Sequence, residues 1–175
     1  MSNVIKYQSF FSDSLYVEIK NYVDKLMKDK KASFNTSLAW DNELISTSGL
    51  IARYEFEKED IEMQKKIKKE LEGKIPYFIS KTVIHLLPPL SYITWHNDPH
   101  CKAALSIYLN EKWDNNWGGF LMYEENENIF AIKPEKNLAV LQKTPLNHCV
   151  STVNFGADYR ISLQFFLTNE KKNML

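Results

Sequence analysis

Short strand-like segments follow one another along the C-terminal two-thirds of the chain, and this pattern restricts the fold more than any other feature. Turn signals such as Pro88-Pro89 and Gly118-Gly119 separate the segments at short intervals. The segments are Tyr77–Leu87, Ser91–His96, Lys102–Leu109, Phe120–Tyr123, Ile129–Ile132, Leu138–Leu141, Cys149–Val153 and Arg160–Leu167. About eight short strands joined by regular turns are typical of a β-sandwich, a barrel or a jelly roll.

The N-terminal part of the chain instead favours helices. A first helix is predicted from Ser12 or Asp13, because apolar residues then recur at helical spacing as far as Met27. A second helix is predicted at about Glu59–Leu71, after a short strand at Leu50–Phe56. We expect these helices to cover one outer face of the predicted sheets.

Composition excludes several classes of protein. The chain is 44% hydrophobic and 13% aromatic, which is typical of a globular protein. Lys+Arg and Asp+Glu are equal at 22 each, so no net charge attracts nucleic acid or a membrane surface. No apolar run approaches the ~18 residues of a transmembrane helix, and the first residues do not resemble a secretory signal. We therefore expect a cytoplasmic protein with no nucleic-acid or membrane partner and no sequence indication of its oligomeric state.

One short motif offers metal ligands. His96 and Asp98 lie two residues apart at the end of a predicted strand, where alternate side chains leave the same face. A second histidine, His148, follows later in the chain. Two histidines and one carboxylate form the facial triad that holds non-haem Fe(II) and leaves coordination positions open. The alternatives are a strand-end turn, in which Asp98 accepts backbone N–H bonds, and an ordinary half-buried position for His148.

The segment from about Tyr92 to Leu167 resembles the iron(II)- and 2-oxoglutarate-dependent dioxygenases, most closely their prolyl-4-hydroxylase-like branch. The order of several motifs carries the resemblance, although each motif alone is common. The matching motifs are His96-Asn97-Asp98, Ser106-Ile107-Tyr108-Leu109-Asn110-Glu111-Lys112-Trp113-Asp114, Gly118-Gly119-Phe120-Leu121, Asn147-His148-Cys149-Val150 and Arg160-Ile161-Ser162.

The resemblance implies a mainly β (α+β) fold, the cupin-like jelly roll known as a double-stranded β-helix. N-terminal helices are then expected on one face. Residues 77–167 would form the jelly-roll core and residues 1–76 its helical and loop support, in a single domain that spans residues 1–175.

The resemblance also implies cofactors and the residues that bind them. His96, Asp98 and His148 are the expected Fe(II) ligands, 2-oxoglutarate and O₂ the expected cosubstrates, and ascorbate a candidate reductant. Arg160 is the expected partner of the far carboxylate of 2-oxoglutarate, since its planar fork forms a paired, charge-assisted hydrogen bond. Ser162 and Tyr108 are further candidates for this contact. The alternatives are an ion pair between Arg160 and a surface acid such as Asp158, and a core position for Tyr108.

The expected activity is hydroxylation of a C–H bond coupled to decarboxylation of 2-oxoglutarate to succinate. A prolyl residue in a peptide or protein, an amino acid and another small molecule are all candidate substrates. Trp40, Trp113, Trp117 and Tyr92 are candidate substrate contacts, because flat aromatic faces suit an apolar ring; the alternative is that they only pack the fold. A non-catalytic, metal-containing jelly-roll binding module is the alternative function, although structural metal sites are normally closed.

Overall fold

The structure, a computed structural model, describes residues 2–29, 33–34, 50–143 and 146–170. Two α-helices and eleven strands occur in these residues, together with 3-10 turns at Lys58–Asp60 and Asn115–Trp117. In chain order the elements are β1 Val4–Tyr7, α1 Asp13–Lys28, β2 Ser33–Phe34, β3 Ala52–Glu55, α2 Ile61–Leu71, β4 Phe78–Leu87, β5 Ile93–His96, β6 Ala103–Tyr108, β7 Leu121–Glu125, β8 Asn128–Ile132, β9 Ala139–Lys143, β10 His148–Val150 and β11 Arg160–Thr168.

The strands form two antiparallel sheets. The larger sheet has seven strands in the order β1-β9-β6-β11-β4-β3-β2, and the smaller has four in the order β5-β10-β7-β8. Neighbouring strands are therefore mostly distant in sequence, as in the jelly roll, where the chain passes repeatedly between two sheets. The predicted double-stranded β-helix is confirmed.

Each of the predicted strand segments overlaps an observed strand, with ends that differ by up to three residues. The strand β1, which pairs with β9 along Val4–Tyr7, was not predicted. It is an edge strand in which only Val4 is buried, so its sequence lacks the apolar alternation that identifies a strand. Both predicted helices are present, and within the described residues neither has the length and apolarity needed to cross a membrane.

The helices and the cavity lie on opposite faces of the larger sheet. The main hydrophobic core joins Ile19 and Val23 of α1 to Leu105 and Ile107 of β6, and includes Leu163 and Phe165 of β11. Because side chains alternate along a strand, the residues between them point into the space between the two sheets. Three of these are polar and buried: Ser106, Ser162 and Gln164. The fold thus places polar groups in its interior, opposite the helices.

A buried carboxylate ties α1 to the larger sheet. Asp60 is 2% exposed and accepts hydrogen bonds from the hydroxyl groups of Tyr22 and Tyr54, the latter at 3.0 Å. The backbone N–H of Glu57 donates to the same carboxylate at 2.6 Å. Burial and the bond to Asp60 raise the pKa of Tyr54 to about 12, so this phenol remains a donor at neutral pH.

We expect Asp60→Ala to lower the free energy of unfolding by about 3 kcal/mol, because hydrogen bonds to a charged group contribute ~1.5–3 kcal/mol and the variant leaves two phenols without their acceptor. Denaturant unfolding measures the change. Asp24→Ala is the matched control, since Asp24 forms an exposed pair with Lys20 and such pairs contribute about 0–1 kcal/mol. Equal losses in the two variants would show that the Asp60 cluster does not stabilise the fold.

Candidate metal site and adjoining cavity

Three metal-binding side chains lie together where β5 and β10 pair. His96 and His148 are direct partners in the strand register, and their ring centroids are 4.2 Å apart. Asp98 follows β5, and its Oδ2 lies 3.7 Å from Nε2 of His148. One donor atom from each of the three residues lies within 4.8 Å of the others, so small rotations of the side chains bring all three to one ion.

Backbone carbonyls fix the tautomers of both histidines. Nδ1 of His96 lies 2.8 Å from the carbonyl oxygen of Thr94, and Nδ1 of His148 lies 2.9 Å from that of Leu146. A carbonyl oxygen only accepts, so each Nδ1 must carry the proton. The Nε2 atom of each neutral ring then presents its lone pair, as in histidines that bind metals.

Burial keeps His148 neutral. The side chain is 7% exposed, and this burial together with the nearby His96 lowers its pKa, while Asp98 opposes the shift. A metal ion needs the neutral ring. The surroundings of His148 therefore favour the form that coordinates a metal.

The triad opens into a cavity between the two sheets. The space of this cavity, counted out through its open mouth, is about 450 Å³. Its walls combine apolar side chains with polar groups from both sheets: His85, Ile93, His96, Asp98, Ser106, Leu121, Gln142, His148, Val150, Arg160, Ser162, Gln164 and Phe166.

Arg160 brings a buried positive charge to the same cavity. Its side chain is 3% exposed, and among the residues that the structure describes no carboxylate forms an ion pair with it, including the candidate Asp158. Its guanidinium donates to the carbonyl oxygen of Gly119 at 2.7 Å and to Oγ of Ser162 at 3.4 Å. A buried charge without a counter-ion is costly, so this position suits an anionic ligand.

A two-glycine turn holds Arg160 in place. Gly118 and Gly119 have φ values of 63° and 64°, a region that residues with a side chain rarely adopt. A Cβ atom on Gly118 would lie 2.1 Å from the carbonyl oxygen of Thr152, and one on Gly119 would lie 3.1 Å from Cδ of Arg160. The turn therefore allows the backbone to approach the arginine and to accept its Nε–H bond.

The two other predicted cosubstrate contacts occupy different positions. Ser162 lines the cavity next to Arg160. Tyr108 does not line it: the guanidinium of Arg160 lies over the Tyr108 ring at 4.9 Å, and within the described chain the buried phenol oxygen has no hydrogen-bond partner. Burial raises the pKa of Tyr108, so the phenol stays protonated. The structure thus places Tyr108 behind Arg160, with an unused donor.

Sequence reasoning missed four polar residues of the cavity: His85, Ser106, Gln142 and Gln164. The burial of His85, with Arg53 and Arg160 nearby, lowers its pKa to about 3, so the ring is neutral at physiological pH. Gln164 could have been predicted from the alternation of side chains along β11, since it shares a face with Arg160 and Ser162. The register of β4 and β9, which adds His85 and Gln142, has no local sequence signal.

The candidate substrate contacts do not line the cavity in the described part of the chain. Trp113 is 8% exposed, belongs to an apolar cluster with Val153, and donates from Nε1 to the carbonyl oxygen of Gly118 at 2.8 Å. Trp117 packs edge-on against it at 5.3 Å. Tyr92 is 36% exposed, and Trp40 lies outside the described residues. These contacts favour the packing alternative for Trp113 and Trp117.

The residues present fit the cofactors that the resemblance implies. Two neutral imidazoles and a carboxylate are the donor set of non-haem Fe(II) sites that keep open positions. A guanidinium that has no acid partner in the described part of the chain, in the same cavity as those ligands, suits a ligand that has one end at the metal and a carboxylate at the other. 2-Oxoglutarate has that form.

Comparison with known protein families shows which family profile the sequence matches. The profile of the 2OG-Fe(II) oxygenase superfamily matches residues 82–168, which is about half of the chain and contains all three members of the triad, Arg160 and Ser162. No curated protein sequence matches the chain.

Solved structures of low sequence identity share the fold. A Pseudomonas putida prolyl-4-hydroxylase superposes with a TM-score of 0.75 at 14% identity, covering 95% of this chain and 92% of that one. A Trichoplax adhaerens prolyl hydroxylase, in complex with a hypoxia inducible factor peptide fragment, gives 0.78 at 19% identity, with 97% and 84% coverage. A collagen prolyl hydroxylase of Paramecium Bursaria Chlorella virus-1 gives 0.63 at 18% identity, with 95% and 96% coverage. With the profile match and the His–Asp–His cluster beside a buried arginine, these findings show that the chain belongs to the 2OG-Fe(II) oxygenase superfamily.

Proposed function

We propose that this 2-oxoglutarate-dependent dioxygenase hydroxylates a prolyl residue in a peptide or protein. The observation that carries the catalytic part is the shared cavity, which holds the His–Asp–His cluster and a buried arginine without an acid partner among the described residues. The prolyl hydroxylases among the structural neighbours support the prolyl substrate. The peptide in the Trichoplax adhaerens complex supports a peptide rather than a free amino acid.

The overall reaction converts a C–H bond, O₂ and 2-oxoglutarate into an alcohol, CO₂ and succinate. One oxygen atom enters the substrate and the other enters succinate, so no further oxidant is needed. Bound Fe(II) supplies the electron transfer that couples cleavage of O₂ to both oxidations. The protein supplies the positions of the reacting groups and the exclusion of water.

The residues divide this work between two ends of the cavity. His96, Asp98 and His148 would hold the metal, and three protein ligands would leave positions for 2-oxoglutarate and O₂. Arg160 pairs with the far carboxylate of 2-oxoglutarate, and Ser162 supports it. The carboxylate would also neutralise the buried guanidinium, so binding of the cosubstrate would offset the cost of burying that charge.

The number of protein ligands is evidence against the alternative function, a non-catalytic binding module. A structural metal site normally has all its positions filled by protein, whereas within the described residues this cluster contains three metal-binding side chains. Ascorbate as a reductant and a cytoplasmic location remain predictions.

Proline-containing peptides test the proposed substrate. The purified chain is incubated with Fe(II), 2-oxoglutarate, ascorbate and each member of a peptide panel, and mass spectrometry follows addition of one oxygen atom. We expect oxidation at proline in at least one peptide, with an equal amount of succinate, and none when alanine replaces that proline. Peptide-independent succinate formation without oxidation of any proline peptide would keep the oxygenase activity and reject the prolyl substrate.

The contacts of Trp117 lead to a prediction about packing. Trp117→Ala should lower the free energy of unfolding by about 2 kcal/mol, because it removes the edge-on partner of Trp113 in the cluster below the two-glycine turn. It should reduce peptide hydroxylation and peptide-free succinate formation by the same factor. Both rates are measured well below the melting temperature. A loss confined to peptide hydroxylation would instead make Trp117 a substrate contact, as the sequence first indicated.

A further inference from the structure

Gln142 lies inside the fold with an unused hydrogen-bond donor. The side chain is 1% exposed and lines the cavity. Among the described residues, no acceptor is within hydrogen-bonding distance of its Nε2 atom. Buried amide groups are nearly always paired, so an unpaired one that faces a cavity indicates a ligand that completes it. Gln142 is neither a predicted metal ligand nor a predicted contact of 2-oxoglutarate.

The polar neighbours of Gln142 do not satisfy it. Oγ of Ser106 donates to Oε1 of Gln164 in a short hydrogen bond, so these two side chains pair with each other. Val4 and Ala104 are the direct register partners of Gln142 on either side, and neither has a polar side chain. The buried donor of Gln142 therefore has no partner among the described residues, although the residue lines the cavity.

The strand register separates Gln142 from Arg160 along the cavity. Ala104 pairs with Gln142 on one side and with Phe166 on the other, and it lies four residues before Tyr108, which stacks with Arg160. Four residues of strand span about 13 Å. The chain that leaves Asp98 enters β6 at Ala103, next to this row. Arg160 and Gln142 thus line opposite parts of one cavity.

We infer that Gln142 is a positioning residue whose Nε2–H donates to the carboxylate of 2-oxoglutarate at the metal end. The inference rests on the proposed function, because it requires 2-oxoglutarate to lie with one carboxylate at Arg160 and the other beside the triad. Hydrogen bonds to a carboxylate are stronger than those between neutral groups. Gln142 would thereby fix the orientation of the cosubstrate from the side opposite the arginine.

Gln142→Met tests the inference, because methionine has a similar length and no N–H donor. Two quantities are measured: the affinity for 2-oxoglutarate in the presence of Fe(II) without oxygen, and the melting temperature without metal or cosubstrate. We expect about 10-fold weaker 2-oxoglutarate binding, unchanged Fe(II) binding, and an equal or higher melting temperature, since the variant removes an unpaired buried amide. Gln142→Glu, which places a second negative charge beside the carboxylate, should bind 2-oxoglutarate more weakly still.

Gln64→Met is the matched control, since Gln64 lies on α2 and bonds to the carbonyl oxygen of Glu57, away from the cavity. It should leave 2-oxoglutarate affinity unchanged. Unaltered affinity in Gln142→Met would overturn the inference while the proposed function stands. A lower melting temperature of that variant without ligand would also overturn it, because Gln142 would then be a packing residue. If the unaltered chain does not bind 2-oxoglutarate with Fe(II), the inference and the proposed function fail together.

Discussion

Replacing His96, Asp98 or His148 with alanine should abolish 2-oxoglutarate-dependent succinate formation. The three donors lie within 4.8 Å of one another, and each removal leaves two protein ligands for the metal. Changes in residues that only orient metal ligands reduce affinity or activity by about 10- to 100-fold, so loss of a ligand should exceed that range. Succinate formation and Fe(II) binding are measured on the same preparations.

The fold should persist in these variants, because Asp98 and His96 lie at the end of a strand and are only partly buried. His100→Ala is the matched control: it removes an exposed imidazole near Asp98 in sequence and should retain activity. A ligand variant with near-native succinate formation would exclude that residue from the metal site. A collapse of the melting temperature in the His148 variant would require His148→Gln, which keeps a polar side chain, in its place.

Arg160→Ala should weaken 2-oxoglutarate binding by about 10- to 100-fold, since a hydrogen bond to a charged group contributes ~1.5–3 kcal/mol. The residue is 3% exposed and lies in the same cavity as the triad. Fe(II) binding should barely change, because a charged guanidinium has only N–H donors and no lone pair to offer a metal. Titration of 2-oxoglutarate into the anaerobic Fe(II) protein measures the first quantity, and Fe(II) titration the second.

Two further variants test whether the loss of 2-oxoglutarate affinity is specific to the guanidinium of Arg160. Arg160→Lys keeps the charge but loses the planar fork, so its affinity should fall between those of the unaltered chain and Arg160→Ala. The other arginine of the chain, Arg53, pairs with Glu55 at 3.0 Å, and Arg53→Ala should bind 2-oxoglutarate normally. Unchanged affinity in Arg160→Ala would place the carboxylate anchor elsewhere, with Lys133 and Lys102 as the next candidates.

Much of the fold was predictable because its signals are local. Alternating apolar residues and intervening turn residues located every segment from Tyr77 to Leu167 in which a strand is observed. The spacing of His96 and Asp98 also indicated a shared face, and the motif order placed His148 and Arg160 with them. Those residues do line one cavity.

The features that the sequence did not predict depend on contacts between segments that are far apart along the chain. Gln142 and His85 face the cavity only because β9 and β4 pair in one particular register with β6 and β11, and no short window of sequence specifies that register. The edge strand β1 has too few buried residues to be recognised. For Trp113 the aromatic side chain suggests a ligand surface, whereas its contacts beneath Gly118 and Gly119 favour the packing alternative.

Visible absorption of the anaerobic protein tests the central claim most directly. In this family's chemistry, 2-oxoglutarate bound through two oxygens to Fe(II) gives a weak metal-to-ligand charge-transfer band, which needs neither O₂ nor the substrate. We predict that the band appears only when Fe(II) and 2-oxoglutarate are both added, and that Asp98→Ala lacks it. Absence of the band at saturating concentrations of both, or a band of equal strength in Asp98→Ala, would contradict the assignment of this cavity as the site that binds Fe(II) and 2-oxoglutarate together.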